Sequence, residues 1–163
     1  MLANFVQYAR LSGRVLEMFH KSILVRSTDK KTMLLLRADV DAWWNSIPAE
    51  MQSCYPSHGD TSSVSASASK PFDLCAFFGV SYHNLLLLIN RPLLSLDPSS
   101  AEFKLAIQTC IGAARTVISI LKAQLEQRKA LFWPGYISAV WMAGLMLAFA
   151  SQLSLYSSSK ASS

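Results

Sequence analysis

The stretch 71–91 constrains the fold most, because it is apolar on nearly all sides and stops at a proline. One helical face carries residues spaced three and four apart: Phe72, Cys75, Gly79, Tyr82, Leu86 and Ile89. The other faces are also largely apolar, as shown by Leu74, Phe77, Phe78, Val80, Leu85 and Leu88. A helix that is apolar all round is buried inside other structure. The sequence therefore predicts a buried central helix over 71–91.

The end of this helix is marked by Arg91 and Pro92. A residue that precedes proline is pushed out of the helical region, so Arg91 is expected at the C-terminal end. Its positive charge would there face the negative end of the helix dipole. We interpret Arg91 as a capping or ion-pairing residue, and a residue that grips a ligand is the alternative.

Four more helices are predicted around the central one, and no segment has the pattern of a strand. The first runs from about Leu2 to Val25 and the second from Ser27-Thr28-Asp29 to Ile47-Pro48. A capping box of Ser99 and Glu102 would start the fourth helix. The last would run from Pro134-Gly135 to Leu155. Its most regular face comprises Tyr136, Val140, Ala143, Gly144, Leu147 and Ala150. The fold class predicted is all-α, with about five helices.

The chain has the length of one domain, which we expect over residues 1–156. Residues 53–70 contain seven serines and almost nothing apolar, so they are predicted to form a flexible insertion. Residues 157–163 are expected to be a disordered tail. Three cysteines without C-x-x-C spacing indicate reduced thiols, because a disulfide scaffold would need a denser, even set.

Basic residues concentrate near the N-terminus: seven of the fifteen lie between Arg10 and Arg37. A basic helix face could meet phosphates or an acidic partner. We favour a solvated face, because no aromatic side chains interleave with the charges as base stacking requires. Adjacent Trp43 and Trp44 point about 100° apart on a helix. One is therefore expected to anchor the core and the other to lie near the surface.

A membrane span near 131–150 is an alternative, since 52% of the residues are hydrophobic and no charge occurs between Lys129 and Lys160. About 20 apolar residues suffice to cross a bilayer. Pro134-Gly135 interrupts the stretch near its start, and Ser138 and Ser151 dilute it. Membrane association is therefore the less favoured interpretation.

No catalytic, cofactor-binding or metal-binding constellation is predicted. The chain lacks a P-loop, a G-x-G-x-x-G motif and a nucleophile elbow. Cys54 and His58 have metal-ligand chemistry but no second pair nearby. His83 is interpreted as a hydrogen-bonded core histidine, because no nucleophile is adjacent. A small-molecule-binding helical module remains a rival hypothesis, with a pocket lined by Tyr82, His83 and Trp141.

Several ordered segments resemble one protein family. Tyr82-His83-Asn84 through Leu86 to Arg91-Pro92-Leu93-Leu94 is similar to a signature in the middle homology region of fungal zinc-cluster transcription factors. Upstream, Leu36, Val40, Trp43 and Ile47-Pro48 resemble the segment that precedes it there. Downstream, Cys110-x-x-Ala113-Ala114 and Tyr136 to Gly144 resemble the next two helices. The family-motif residues are Trp43, Pro48, Tyr82, His83, Leu86, Arg91 and Pro92.

The resemblance implies a non-enzymatic, all-helical regulatory domain of a nuclear transcription factor. Its expected partners are proteins of the transcription machinery or other domains of the same factor, and a small-molecule effector is a further option. The family binds DNA through a separate domain with six cysteines and two zinc ions. Three scattered cysteines cannot form that cluster, so neither zinc nor base-specific DNA contact is expected here. The chain resembles an incomplete domain, whose uncovered apolar surface predicts self-association.

Overall fold

The computed structural model describes residues 1–20, 30–52, 72–127 and 133–153. These residues confirm the all-α fold and contain no strand. The six α-helices are α1 (Leu2–His20), α2 (Lys30–Ser46), α3 (Ala49–Gln52), α4 (Leu74–Asn90), α5 (Ala101–Glu126) and α6 (Gly135–Gln152). A 3₁₀ helix over Arg91–Ser95 follows α4.

Helix α4 is the centre of the fold, as its apolar sequence predicts. It packs against each of the other five α-helices and against the 3₁₀ helix, most extensively against α5. Eleven of its seventeen residues are buried, and they include residues on every side of the helix. Trp43 of α2 and Phe78 of α4 are among the largest fully buried side chains in this core.

Helix α4 begins at Leu74, three residues later than the sequence pattern predicts, and Asp73 caps this start. One carboxylate oxygen, Oδ1, accepts hydrogen bonds from the backbone N–H groups of Cys75 and Ala76, at 3.0 and 3.1 Å. The other, Oδ2, accepts from Nε2 of Gln124 on α5 at 3.0 Å. Asp73 therefore satisfies free donors at the N-terminus of α4 and also ties that end to α5.

The helix boundaries differ from the predictions in two further places. The chain after Pro48 forms the short helix α3, so six α-helices occur among the described residues where five were expected. The predicted Ser99–Glu102 capping box is wrong by one residue. Ser100 is the N-cap of α5 and its Oγ accepts from Phe103 N–H at 3.2 Å. Ser99 instead donates to Asp97 through its N–H and its hydroxyl.

Helix α6 lies against α5 through small side chains, which let two helices approach closely. Its buried residues repeat at intervals of three and four: Tyr136, Ala139, Ala143, Met146 and Ala150. The most regular apolar face of the sequence therefore coincides only partly with the buried face, because Val140 is 44% exposed and Gly144 is also exposed. At the N-terminus of α6, a Cβ on Gly135 would overlap the ring of Trp133, which explains the glycine.

The cysteines are not all reduced. Cys75 takes part in a disulfide, which contradicts the expectation of three free thiols. Cys110 is free and buried in α5, where burial raises the pKa of its thiol to about 12. The predictions for the insertion 53–70, the tail 157–163, Cys54, His58 and the cap at Ser27-Thr28-Asp29 lie outside the described residues.

Candidate functional site

The two adjacent tryptophans of α2 lie in different environments. Trp43 is fully buried, and its indole Nε1–H donates to the backbone carbonyl of Asn4 at 3.1 Å, which joins α2 to α1. Trp44 is half-buried and stacks on Tyr82 of α4 with ring centroids 4.6 Å apart. Pro48 is exposed just past the end of α2. The family-motif residues Trp43 and Pro48 thus lie in the last turn of α2 and just beyond its end.

A polar cluster joins α2 to α4 beside the stacked rings. Arg37 Nε donates to both carboxylate oxygens of Asp41, at 3.0 and 2.9 Å. The hydroxyl of Tyr82 donates to Asp41 Oδ1 at 2.9 Å. Burial, followed by the bond to the Asp41 carboxylate and its negative charge, raises the pKa of Tyr82 to about 12. Asp41 therefore accepts from both helices and holds Tyr82 protonated.

His83 is mostly buried next to this cluster. Its ring lies edge-on to that of Tyr82, with centroids 5.1 Å apart. The buried Nδ1 has no hydrogen-bond partner among the described residues. Burial, with a smaller contribution from the positive charge of Arg37, lowers the pKa of His83 to about 4. The imidazole is therefore neutral at pH 7, and the predicted hydrogen-bonded histidine lacks a partner at this nitrogen.

At the C-terminal end of α4, a side chain that no sequence pattern indicated bonds to the helix backbone. Asn90 is buried, and its Nδ2 donates to the carbonyl of Leu86 at 2.8 Å. Arg91 is exposed and its N–H bonds to the carbonyl of Leu87. Pro92 lies in the first turn of the 3₁₀ helix. No ion pair of Arg91 occurs within the described ranges.

An apolar cavity of about 310 Å³ lies between α5 and α6. It is lined by Leu121, Tyr136, Ile137, Val140 and Trp141. Of the three residues in the predicted effector pocket, Trp141 lines this cavity, whereas Tyr82 and His83 are not among its lining residues. Burial, with a smaller contribution from the negative charge of Asp73, raises the pKa of Tyr136 to about 12. The cavity therefore presents no charged side chain at neutral pH.

The solvent-facing side of α6 continues this cavity as an apolar surface. Ile137 is 77% exposed, Trp141 is 69% exposed and Leu145 is 47% exposed. Helix α6 carries no Asp, Glu, Lys or Arg. Single exposed apolar residues are ordinary, whereas a group on one helix face indicates an interaction surface. We call the set Ile137, Val140, Trp141, Gly144, Leu145 and Ala148 the α6 outer face.

Two helices, α5 and α6, are long and apolar enough to cross a membrane by length and composition alone. In their most apolar windows, 44% of residues in α5 and 28% in α6 are buried within the protein. Core helices of soluble proteins pass the same test, so this is weak evidence for a span. The low buried share of α6 agrees with its exposed apolar side.

The described residues hold no group of three or more His, Cys, Asp or Glu side chains that could bind a metal ion. The two carboxylates of α2, Asp39 and Asp41, have different partners. Asp39 pairs with Arg14 of α1 at 2.6 Å, whereas Asp41 pairs with Arg37. The sequence did not predict the hydrogen bonds made by the side chains of Asp73, Gln124 and Asn90. A polar residue at each end of an apolar stretch was the available signal for Asp73 and Asn90.

Comparison with known proteins gives one clear similarity. The chain is 49% identical over 155 residues to a protein of Fusarium proliferatum (strain ET1) named "Probable transcription factor FUP6". The aligned region covers 95% of this chain but 22% of that relative, so the chain spans about a fifth of the relative's length. No family model matches the chain. No solved structure matches it either. The chain is thus similar to part of a fungal protein that is named as a probable transcription factor.

Proposed function

We propose that this chain is a non-enzymatic regulatory region of a fungal transcription factor, and that it acts in the nucleus through contacts with other protein segments. The observation that carries the proposal is the 49% identity, which extends over 95% of the chain. The similarity is therefore spread over the whole helical domain. The transcription role of the relative is taken from its name, and its extension to this chain is our proposal.

We further propose that the chain corresponds to the middle homology region of zinc-cluster factors, over residues 1–156. The support is the order of the family-motif residues and their position in one packing unit. Trp43 is fully buried beside α4, and Tyr82 contacts α2 through both Trp44 and Asp41. Leu86 lies in the core. In this proposal the motif residues hold the domain together and do not contact a ligand.

The same proposal assigns DNA reading to another domain. The sequence has three cysteines, and one of them, Cys110, is buried with a raised pKa, which disfavours the thiolate that binds zinc. Six cysteines are needed for the family's two-zinc cluster. The expected partners are therefore the transcription machinery or other domains of the same factor.

A small-molecule effector is the second candidate, and the cavity beside α6 is the observation that favours it. Its volume of about 310 Å³ is at the lower end of the range for ligand pockets. Ligand pockets usually combine an apolar lining with several converging polar groups. Here the polar groups of the lining side chains are the Tyr136 hydroxyl and the Trp141 indole N–H. An apolar side chain of a protein partner fits this lining better than a polar metabolite.

A reporter experiment tests the transcription role. The full chain is fused to a heterologous DNA-binding domain in a fungal host, and reporter output is compared with that of the DNA-binding domain alone. We expect a change in output together with nuclear accumulation of a fluorescently tagged chain. The matched control is Leu86→Asp, which should abolish the change because it disrupts the core. An intact fusion that leaves the reporter at background would contradict the proposal.

A further inference from the structure

We draw no further inference here: the strongest candidate, the apolar α6 outer face beside the cavity between α5 and α6, carries no proposal because nothing in the structure shows what covers it.

Discussion

Helices α4 and α6 have a similar apolar composition but different surroundings. Both lack charged residues and are apolar around their whole circumference. Eleven of the seventeen residues of α4 are buried, against five of the eighteen residues of α6. Helix α4 contacts every other α-helix, whereas the main neighbours of α6 are α5 and α4. An apolar sequence therefore predicts that a helix is buried by other structure. The number of neighbouring helices determines how much of the helix is buried.

The two helices also begin differently. Asp73 caps α4 through its carboxylate, and the same side chain bonds to Gln124 on α5. Helix α6 starts at Pro134 without a side-chain capping bond, and Gly135 lies under the Trp133 ring. Polar groups thus fix the position of α4 within the core. Among the described residues, no side-chain capping bond fixes the start of α6 in this way.

The largest expected effect is the loss of stability when a leucine of α4 is replaced by aspartate. The same change in α6 is the comparison. Leu86 is 5% exposed in α4 and Leu145 is 47% exposed in α6. Leu86→Asp buries an unpaired carboxylate and should cost about 3–5 kcal/mol or more, which is enough to unfold a typical domain. Leu145→Asp should change the free energy of unfolding of the monomer by under about 1 kcal/mol.

Denaturant unfolding at low micromolar protein concentration, followed by circular dichroism, measures both changes. Equal losses for Leu86→Asp and Leu145→Asp would show that α6 is as deeply packed as α4. An unchanged melting temperature for Leu86→Asp would contradict the central position of α4.

This comparison also explains what the sequence could predict. The periodic apolar pattern and Pro92 were sufficient to predict α4 within three residues at its start and one at its end, because an extended apolar run has few soluble alternatives. The sequence pattern of α6 does not show which side is buried: its most regular face includes the exposed Val140 and Gly144, since a helix that is apolar all round has no pattern to orient it. The long-range bonds of Asp73 and Asp41 depend on which helices become neighbours, and local spacing carries no such information.

The next largest effect is a pH dependence of the free energy of unfolding, which we expect from His83 of α4. The pKa of His83 is lowered from 6.5 to about 4, so the folded state favours the neutral imidazole. Its contribution to stability is therefore full above the unfolded pKa and is lost as the pH falls from 6.5 towards 4. The loss should approach about 2–3 kcal/mol, at about 1.4 kcal/mol per pKa unit.

His83→Leu should remove this part of the acid sensitivity, because leucine has no proton to bind. The measurement is the free energy of unfolding of both proteins at several pH values between 4 and 7. All other ionisable groups are the same in both proteins, so the difference between the two curves isolates His83. Parallel curves would contradict the burial of the imidazole.

A smaller effect is expected at the start of α4. Asp73→Ala removes the two capping bonds to Cys75 and Ala76 and the bond from Gln124, which should cost about 1–2 kcal/mol. Asp73→Asn keeps an acceptor oxygen for the cap and should cost less. Thermal unfolding ranks the variants, and an Asp73→Ala protein as stable as the unmodified chain would show that packing alone positions α4.

The smallest expected effect sharpens the comparison most, because it distinguishes an open helix face from a covered one. A Cβ added at Gly144 of α6 or at Gly112 of α5 meets nothing within 4 Å. Each change to alanine should therefore stabilise the isolated monomer by up to about 1 kcal/mol, since glycine in a helix loses more backbone entropy on folding. Melting curves of both variants at low protein concentration measure these gains directly. Similar gains would show that both helix faces are open, whereas a loss for Gly144→Ala alone would show that another part of the protein packs closely against the α6 outer face.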